Sequence, residues 1–120
     1  MAPTHPREIQ LKCSDGIVLA AQSWRCAGGE TTLPPKHRIL CLHGWMDNCR
    51  TFHYLAPVLI ENAPAGEVEL VALDFVGHGL SSHKSLDGAP TVLAESVFYV
   101  AEALHQLGWV ASSNNNETEP

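Results

Sequence analysis

The chain lacks most of what would tie it to nucleic acid or to a lipid bilayer. Only 7 of its 120 residues are lysine or arginine against 13 aspartate and glutamate, for a net charge of −6. A basic patch, which nucleic acid and anionic membrane surfaces both demand, is therefore not expected. No apolar run approaches the length that spans a bilayer. The first residues, Met1 to Glu8, carry neither an apolar h-region nor a cleavage site, and the expected location is cytoplasmic. There are 4 cysteines and no Cys-x-x-Cys pair, so neither a disulfide framework nor a thiol redox motif is indicated. Internal repeats are absent.

One constellation has the residue types of a metal site. Cys41 and His43 would share a strand face, and Cys49 and His53 would lie one helical turn apart, which gives four residues of zinc-ligand type. Cys41 reads as strand interior, however, and His43 belongs to a stronger His-Gly motif. No metal and no cofactor is expected.

What is present is a strand, turn, helix, strand pattern. Arg38 to Leu42 and Val68 to Leu73 are short apolar segments bounded by polar or glycine-containing turns, the mark of strands buried on both faces of a parallel sheet. Ahead of them, Ile9 to Leu11 and Ile17 to Trp24 alternate and flank Ser14-Asp15-Gly16, which predicts a hairpin. Cys26 to Lys36, with Gly28-Gly29 and Pro34-Pro35, reads as a loop.

Helical spacing begins at Thr51 with Phe52, Leu55, Val58 and Leu59. Pro57 in their midst implies a bend or a late start, and Asn62 to Gly66 ends the segment. A clearer helix spans about Thr91 to Leu107. Leu93, Val97, Val100, Leu104 and Leu107 form its expected sheet-facing stripe, with Glu95, Glu102 and Gln106 opposite. Pro90 and Thr91 give a start signal and Gly108 a stop. Trp109-Val110-Ala111 resembles the first residues of a further strand that never develops. The resulting class is α/β with right-handed crossovers, and ligand sites in such sheets form beyond the carboxyl ends of strands.

Two motifs lie at such ends. Leu42-His43-Gly44-Trp45-Met46-Asp47-Asn48 follows the first strand, and Asp74-Phe75-Val76-Gly77-His78-Gly79-Leu80-Ser81-Ser82-His83 follows the second. In this order and spacing they resemble the α/β-hydrolase superfamily, and within it the serine hydrolase-like proteins. The resemblance covers roughly Ile9 to Val110 and implies a truncated α/β-hydrolase fold, the first four or so strands and two helices of a mostly parallel sheet. The expected organisation is an arm at 1–8, a partial hydrolase domain at 9–111 and a disordered tail at 112–120, the last for want of any large apolar residue.

The resemblance also assigns roles. In this family the strand after the Thr91 helix ends in Gly-x-Ser-x-Gly, which exposes the nucleophile, and the acid and histidine follow it in the chain. No such motif occurs here, so nucleophile, acid and base are all expected to be absent. His43, Gly44 and Trp45 are implied to form an oxyanion-hole loop, with the amide of Trp45 as one donor. Asp74, Gly77, His78, Gly79 and Ser81 are implied to be a structural turn near the site. The hydroxyl of Ser81 is expected to cap a helix start. His43 and Asp74 are expected to brace the two turns through hydrogen bonds. A small-molecule substrate is expected only if the missing carboxyl-terminal part completes the site. The strand ending at Leu42 should have an open outer edge, which predicts self-association or capture of a partner strand.

Overall fold

A computed structural model describes residues 5–25, 34–44, 47–64, 66–82 and 93–110. The expected disordered tail, the glycine pair at 28–29, the start signal at 90–91, Trp45 and His83 lie outside the described residues.

Four strands form one sheet in the order β1-β2-β4-β3. They are β1 (Arg7–Lys12), β2 (Val18–Arg25), β3 (His37–Leu42) and β4 (Val68–Leu73). The sheet is mixed. β1 pairs with β2 and β2 with β4 in antiparallel fashion, and only β3 and β4 run parallel. The first hairpin turns at Ser14 to Gly16, where Gly16 has a φ of +91°, a conformation costly for any residue with a Cβ. β1 begins at Arg7, two residues ahead of the expected domain boundary at Ile9.

The two faces of the sheet carry separate cores because side chains alternate along a strand. Leu19, Ala21, Val71 and Leu73 point to one face and pack with Leu11, Val76, Tyr99 and Ala103. Trp24, Leu70 and Ala72 point to the other and pack with Cys41, Cys49, Ala56 and Ile60. Leu19, Leu70 and Leu73 are each fully buried, and burial of a leucine stabilises by about 1.5–3 kcal/mol. β4 therefore matches the expectation of a strand buried on both faces. β3 does not, because it is the edge of the sheet, and Leu42 at its end is 43% exposed.

Both helices depart from the expected faces. After Asn48, whose side-chain oxygen accepts from the Arg50 N–H at 2.9 Å, Cys49–Phe52 forms a short 3₁₀ turn. The helix proper, α1, starts late, at Leu55, and runs to Glu61. Pro57 is its third residue, where a missing N–H costs no intrahelical bond, so no bend is required. α1 buries Ala56 and Ile60, while Leu55 and Val58 are exposed. The second helix, α2 (Leu93–Gln106), fully buries Tyr99 and Ala103; of the predicted stripe Val100, Leu104 and Leu107 are half-buried, Leu107 against the same core, while Val97 is 68% exposed. The reason is close packing. Ala103, four residues after Tyr99, brings the helix axis near the sheet, and the Tyr99 hydroxyl finds a polar partner in Asp15 at 2.6 Å. Val97 and Phe98 are thereby turned away from the sheet. Trp109 and Val110 form no strand; the Trp109 ring lies 5.9 Å from the guanidinium of Arg38 on β3.

Candidate functional site: two loops at the carboxyl ends of β3 and β4

Because β3 and β4 are parallel and adjacent, the loops that leave their carboxyl ends emerge side by side. Cα pairing places Leu42 next to Leu73, so His43 and Asp74 are the first residues beyond the sheet on neighbouring strands. The His43 ring packs edge-on against Phe75 and tilted against His78, with centroids 5.0 Å apart in each case.

His43 is buried and its ring binds both loops. The Phe75 N–H donates to Nε2 at 3.0 Å, which puts the ring proton on Nδ1, and Nδ1–H donates to the Gly44 carbonyl at 2.7 Å. Both nitrogens are thus engaged in bonds to the main chain. Gly44 is exposed, and a Cβ at that position would meet nothing within 4 Å.

Asp74 is fully buried, a costly place for a carboxylate without partners. It has them. Oδ1 accepts from the Cys49 N–H at 2.6 Å and Oδ2 from the Leu80 N–H at 3.0 Å. One bond ties β4 to the start of the 3₁₀ turn that follows β3, and the other closes its own loop. Gly77 and Gly79 both have positive φ, +78° and +52°. At Gly79 there is a second constraint, since a Cβ would overlap the Asp74 carboxylate.

Ser81 does not cap a helix. It is 2% exposed; its hydroxyl accepts from the Ala20 N–H at 2.7 Å and donates to the Asp74 carbonyl at 2.6 Å. Ser82 repeats the pattern on Val18, whose N–H donates to the Ser82 Oγ at 3.0 Å. The loop therefore folds back and continues β4's pairing with β2. A serine hydroxyl committed to two bonds and closed to solvent is not available for nucleophilic attack. Nor is the thiol of Cys49. Burial, followed by its hydrogen bond to Asp74, pushes it up to about 12, so it stays protonated.

The structure brings His43, Gly44, Asp74, His78, Gly79 and Ser81 together at one end of the sheet. Leu80, at the tip of the second loop, is 67% exposed. Sequence reasoning missed the role of Cys49, whose main-chain N–H is a partner of Asp74; no side-chain pattern announces a backbone donor. Among the described residues no group of three or more His, Cys, Asp or Glu side chains is placed to hold a metal ion. No helix among them is long and apolar enough to cross a membrane.

The chain is similar in structure to solved α/β-hydrolases. An α/β-hydrolase from Novosphingobium aromaticivorans superposes with a TM-score of 0.62 at 27% identity, over 90% of this chain and 33% of its own. A hypothetical protein from Pseudomonas aeruginosa gives 0.61 at 37% identity, over 88% of this chain and 31% of its own. No protein-family model matches the chain. The chain belongs to the α/β-hydrolase superfamily. Within it, its sequence relatives are serine hydrolase-like proteins: that of Homo sapiens is 40% identical over 108 residues, which are 90% of this chain and 46% of the human protein. The chain spans between 15% and 46% of the length of the curated relatives it matches.

Proposed function

We propose that this chain forms the floor of a serine hydrolase site and one half of its oxyanion hole, and that it has no hydrolase activity by itself. In acyl transfer, negative charge develops on the former carbonyl oxygen, and two pre-aimed main-chain N–H groups stabilise it. Loss of one such donor typically costs about 10²–10³ in rate. By the family's pattern, one donor is the N–H of Trp45, directly after His43-Gly44, and the other follows a nucleophilic serine in a Gly-x-Ser-x-Gly turn that this chain does not contain. The substrate class, an ester or related small molecule, is the family's.

The observation that carries this reading is the mutual bracing of the two loops. His43 holds Phe75, and Asp74 holds Cys49, so each loop is tied to the other by a side-chain acceptor. The open space around Gly44 leaves room for a substrate oxygen. A fluorophosphonate probe, which phosphonylates activated serines with loss of fluoride, is expected to leave the purified chain unlabelled. Labelling that Ser81→Ala or Cys49→Ala removes would overturn the proposal.

A second reading rests on β3. This edge strand contains neither proline nor an acidic residue, its outer side pairs with no strand among the described residues, and Leu42 is exposed beside it. Such an edge takes up another strand readily. The isolated chain is expected to sediment as a dimer or larger species, and Leu40→Lys to shift it towards monomer. A monomer at tens of micromolar would remove this reading and leave the first untouched.

A further inference from the structure

The face of the sheet that carries α1 holds two polar atoms that the fold leaves without partners. Gln22 and Trp24 are two apart on β2 and so share this face, at 5% and 3% exposure. The Gln22 amide is oriented by Glu8 on the paired strand: Nε2 donates to the Glu8 carboxylate at 2.8 Å, which leaves Oε1 as the free acceptor. Neither Gln22 Oε1 nor the Trp24 Nε1–H has a hydrogen-bond partner, and both are buried. An unmet buried donor or acceptor costs about 1–3 kcal/mol, so two on adjacent same-face positions form a place where a ligand gains more than it would from bare contact.

Both side chains line a groove of ≈ 640 Å³ between the start of β1, β2 and α1, walled by Pro6 and Pro57 and rimmed by Arg50 and Glu61. Arg50 is also shared with a neighbouring groove of ≈ 620 Å³ that reaches Glu8, Gln10 and Leu80. Its side chain is 48% exposed and stands 3.8 Å from Glu8, too long for a strong ion pair. By register Trp24 lies opposite Leu70, in the middle of β4, and Gln22 opposite Ala72, one residue from its carboxyl end, so the groove runs along this face towards the loops.

We propose that this groove binds a neutral carboxamide, its carbonyl accepting from Trp24 Nε1–H and its N–H donating to Gln22 Oε1, with an apolar body against Pro6 and Pro57. Displacement of the Arg50 side chain admits it. The chemistry excludes simpler ions: an ammonium cannot accept from Trp24 Nε1–H, and a carboxylate cannot donate to Gln22 Oε1. The same carboxamide chemistry is offered by a small aromatic amide or by a peptide group. This inference does not depend on the hydrolase reading.

The test is a titration of the ¹⁵N-labelled 120-residue chain, following the Trp24 indole N–H resonance assigned from its loss in Trp24→Phe. The probes are benzamide and N-acetylalanine methylamide, with benzoate and benzyl alcohol as controls. A saturable shift with either amide, and not with the controls, is expected; the tighter amide identifies a small-molecule or a peptide source. Gln22→Met should weaken amide binding about tenfold, the loss of one buried hydrogen bond. No shift with either amide, or equal binding of benzoate or benzyl alcohol, would overturn the proposal in the wild-type chain alone, whatever the folding of Gln22→Met.

Discussion

Substitution of Gly79 by alanine perturbs the second loop at the point where backbone conformation and a buried charge meet. The residue has a φ of +52°, and its missing Cβ is what leaves room for the Asp74 carboxylate. An L-residue held in the left-handed region loses roughly 1–2 kcal/mol. If the added methyl moves the carboxylate enough to break one of its bonds, to the Cys49 or Leu80 N–H, a further 1.5–3 kcal/mol or so goes with that charged hydrogen bond. Against this stands about 0.4–1 kcal/mol gained because alanine restricts the unfolded chain. The balance is a loss of about 2–4 kcal/mol. Gly77→Ala is the matched control, with a φ of +78° but nothing within 4 Å of its Cβ, and should lose only about 1 kcal/mol. Urea unfolding followed by far-ultraviolet circular dichroism separates the two. With a slope of about 2 kcal/mol per molar, Gly79→Ala should lower the midpoint by roughly 1–2 M and Gly77→Ala by about 0.5 M. Equal losses would refute the claim that Asp74 occupies the space of the absent side chain.

Three other outcomes are expected. Ser81→Ala leaves the Ala20 N–H and one acceptor site of the Asp74 carbonyl unmet in the interior and should cost about 2–4 kcal/mol in the same urea assay, with no effect on probe labelling. Tyr99→Phe removes the bond to Asp15, which is exposed, so the loss should be near 1 kcal/mol; faster amide exchange at Ser14 to Gly16 should accompany it, since Tyr99 pins that turn to α2. Alkaline pH should destabilise the fold through its thiols. Burial, reinforced by Glu102 and Asp15, pushes Cys13 up to about 11, and burial with Asp74 pushes Cys49 up to about 12. The folded state thus holds these protons more tightly than the unfolded one. Their contribution is complete below about pH 9, the ordinary thiol value, and is lost as pH rises from there towards 11 and 12. Thermal melts at pH 7, 9 and 10.5 should show a flat first interval and a falling second. A double Cys13→Ala, Cys49→Ala variant should fall less over the second interval.

The places of the strands and of both loops were legible because each rests on a strong local signal. Val68 to Leu73 is a mostly apolar run, broken only by Glu69, and its last four residues are all buried. Ser14-Asp15-Gly16 supplies a turn that only glycine completes cheaply. The helix faces were not legible in the same way. In α2 the residues Val97 and Phe98 are as hydrophobic as those that are buried, so periodicity alone could not decide between them; the choice falls to Ala103 and Tyr99, through close approach and a hydrogen bond 84 residues distant in the chain. In α1, Leu55 and Val58 outcompete Ala56 for notice in the sequence, yet Ala56 and Ile60 are the residues that face the sheet. Ser81 was misread for a related reason. Its partner is a main-chain N–H on β2, 61 residues earlier, and backbone donors leave no mark in a sequence.

The pattern of bonds at the strand ends explains how two neighbouring loops can be held in place by polar side chains that hydrogen-bond to main-chain groups. Each loop is fixed by a side chain from the other: His43, after β3, receives a proton donor from Phe75, after β4, while Asp74, after β4, receives one from Cys49, after β3. Ser81 then ties the second loop back to β2, the strand on β4's far side. The bonds cross between parallel neighbours in both directions, so neither loop can shift along the strand axis without breaking a bond made by the other. Side-chain acceptors serve this purpose where strand pairing has ended and main-chain carbonyls no longer come in register. A histidine, an aspartate and a serine at a site of this kind therefore require no catalytic role to account for their presence, because satisfying buried N–H groups demands just such acceptors.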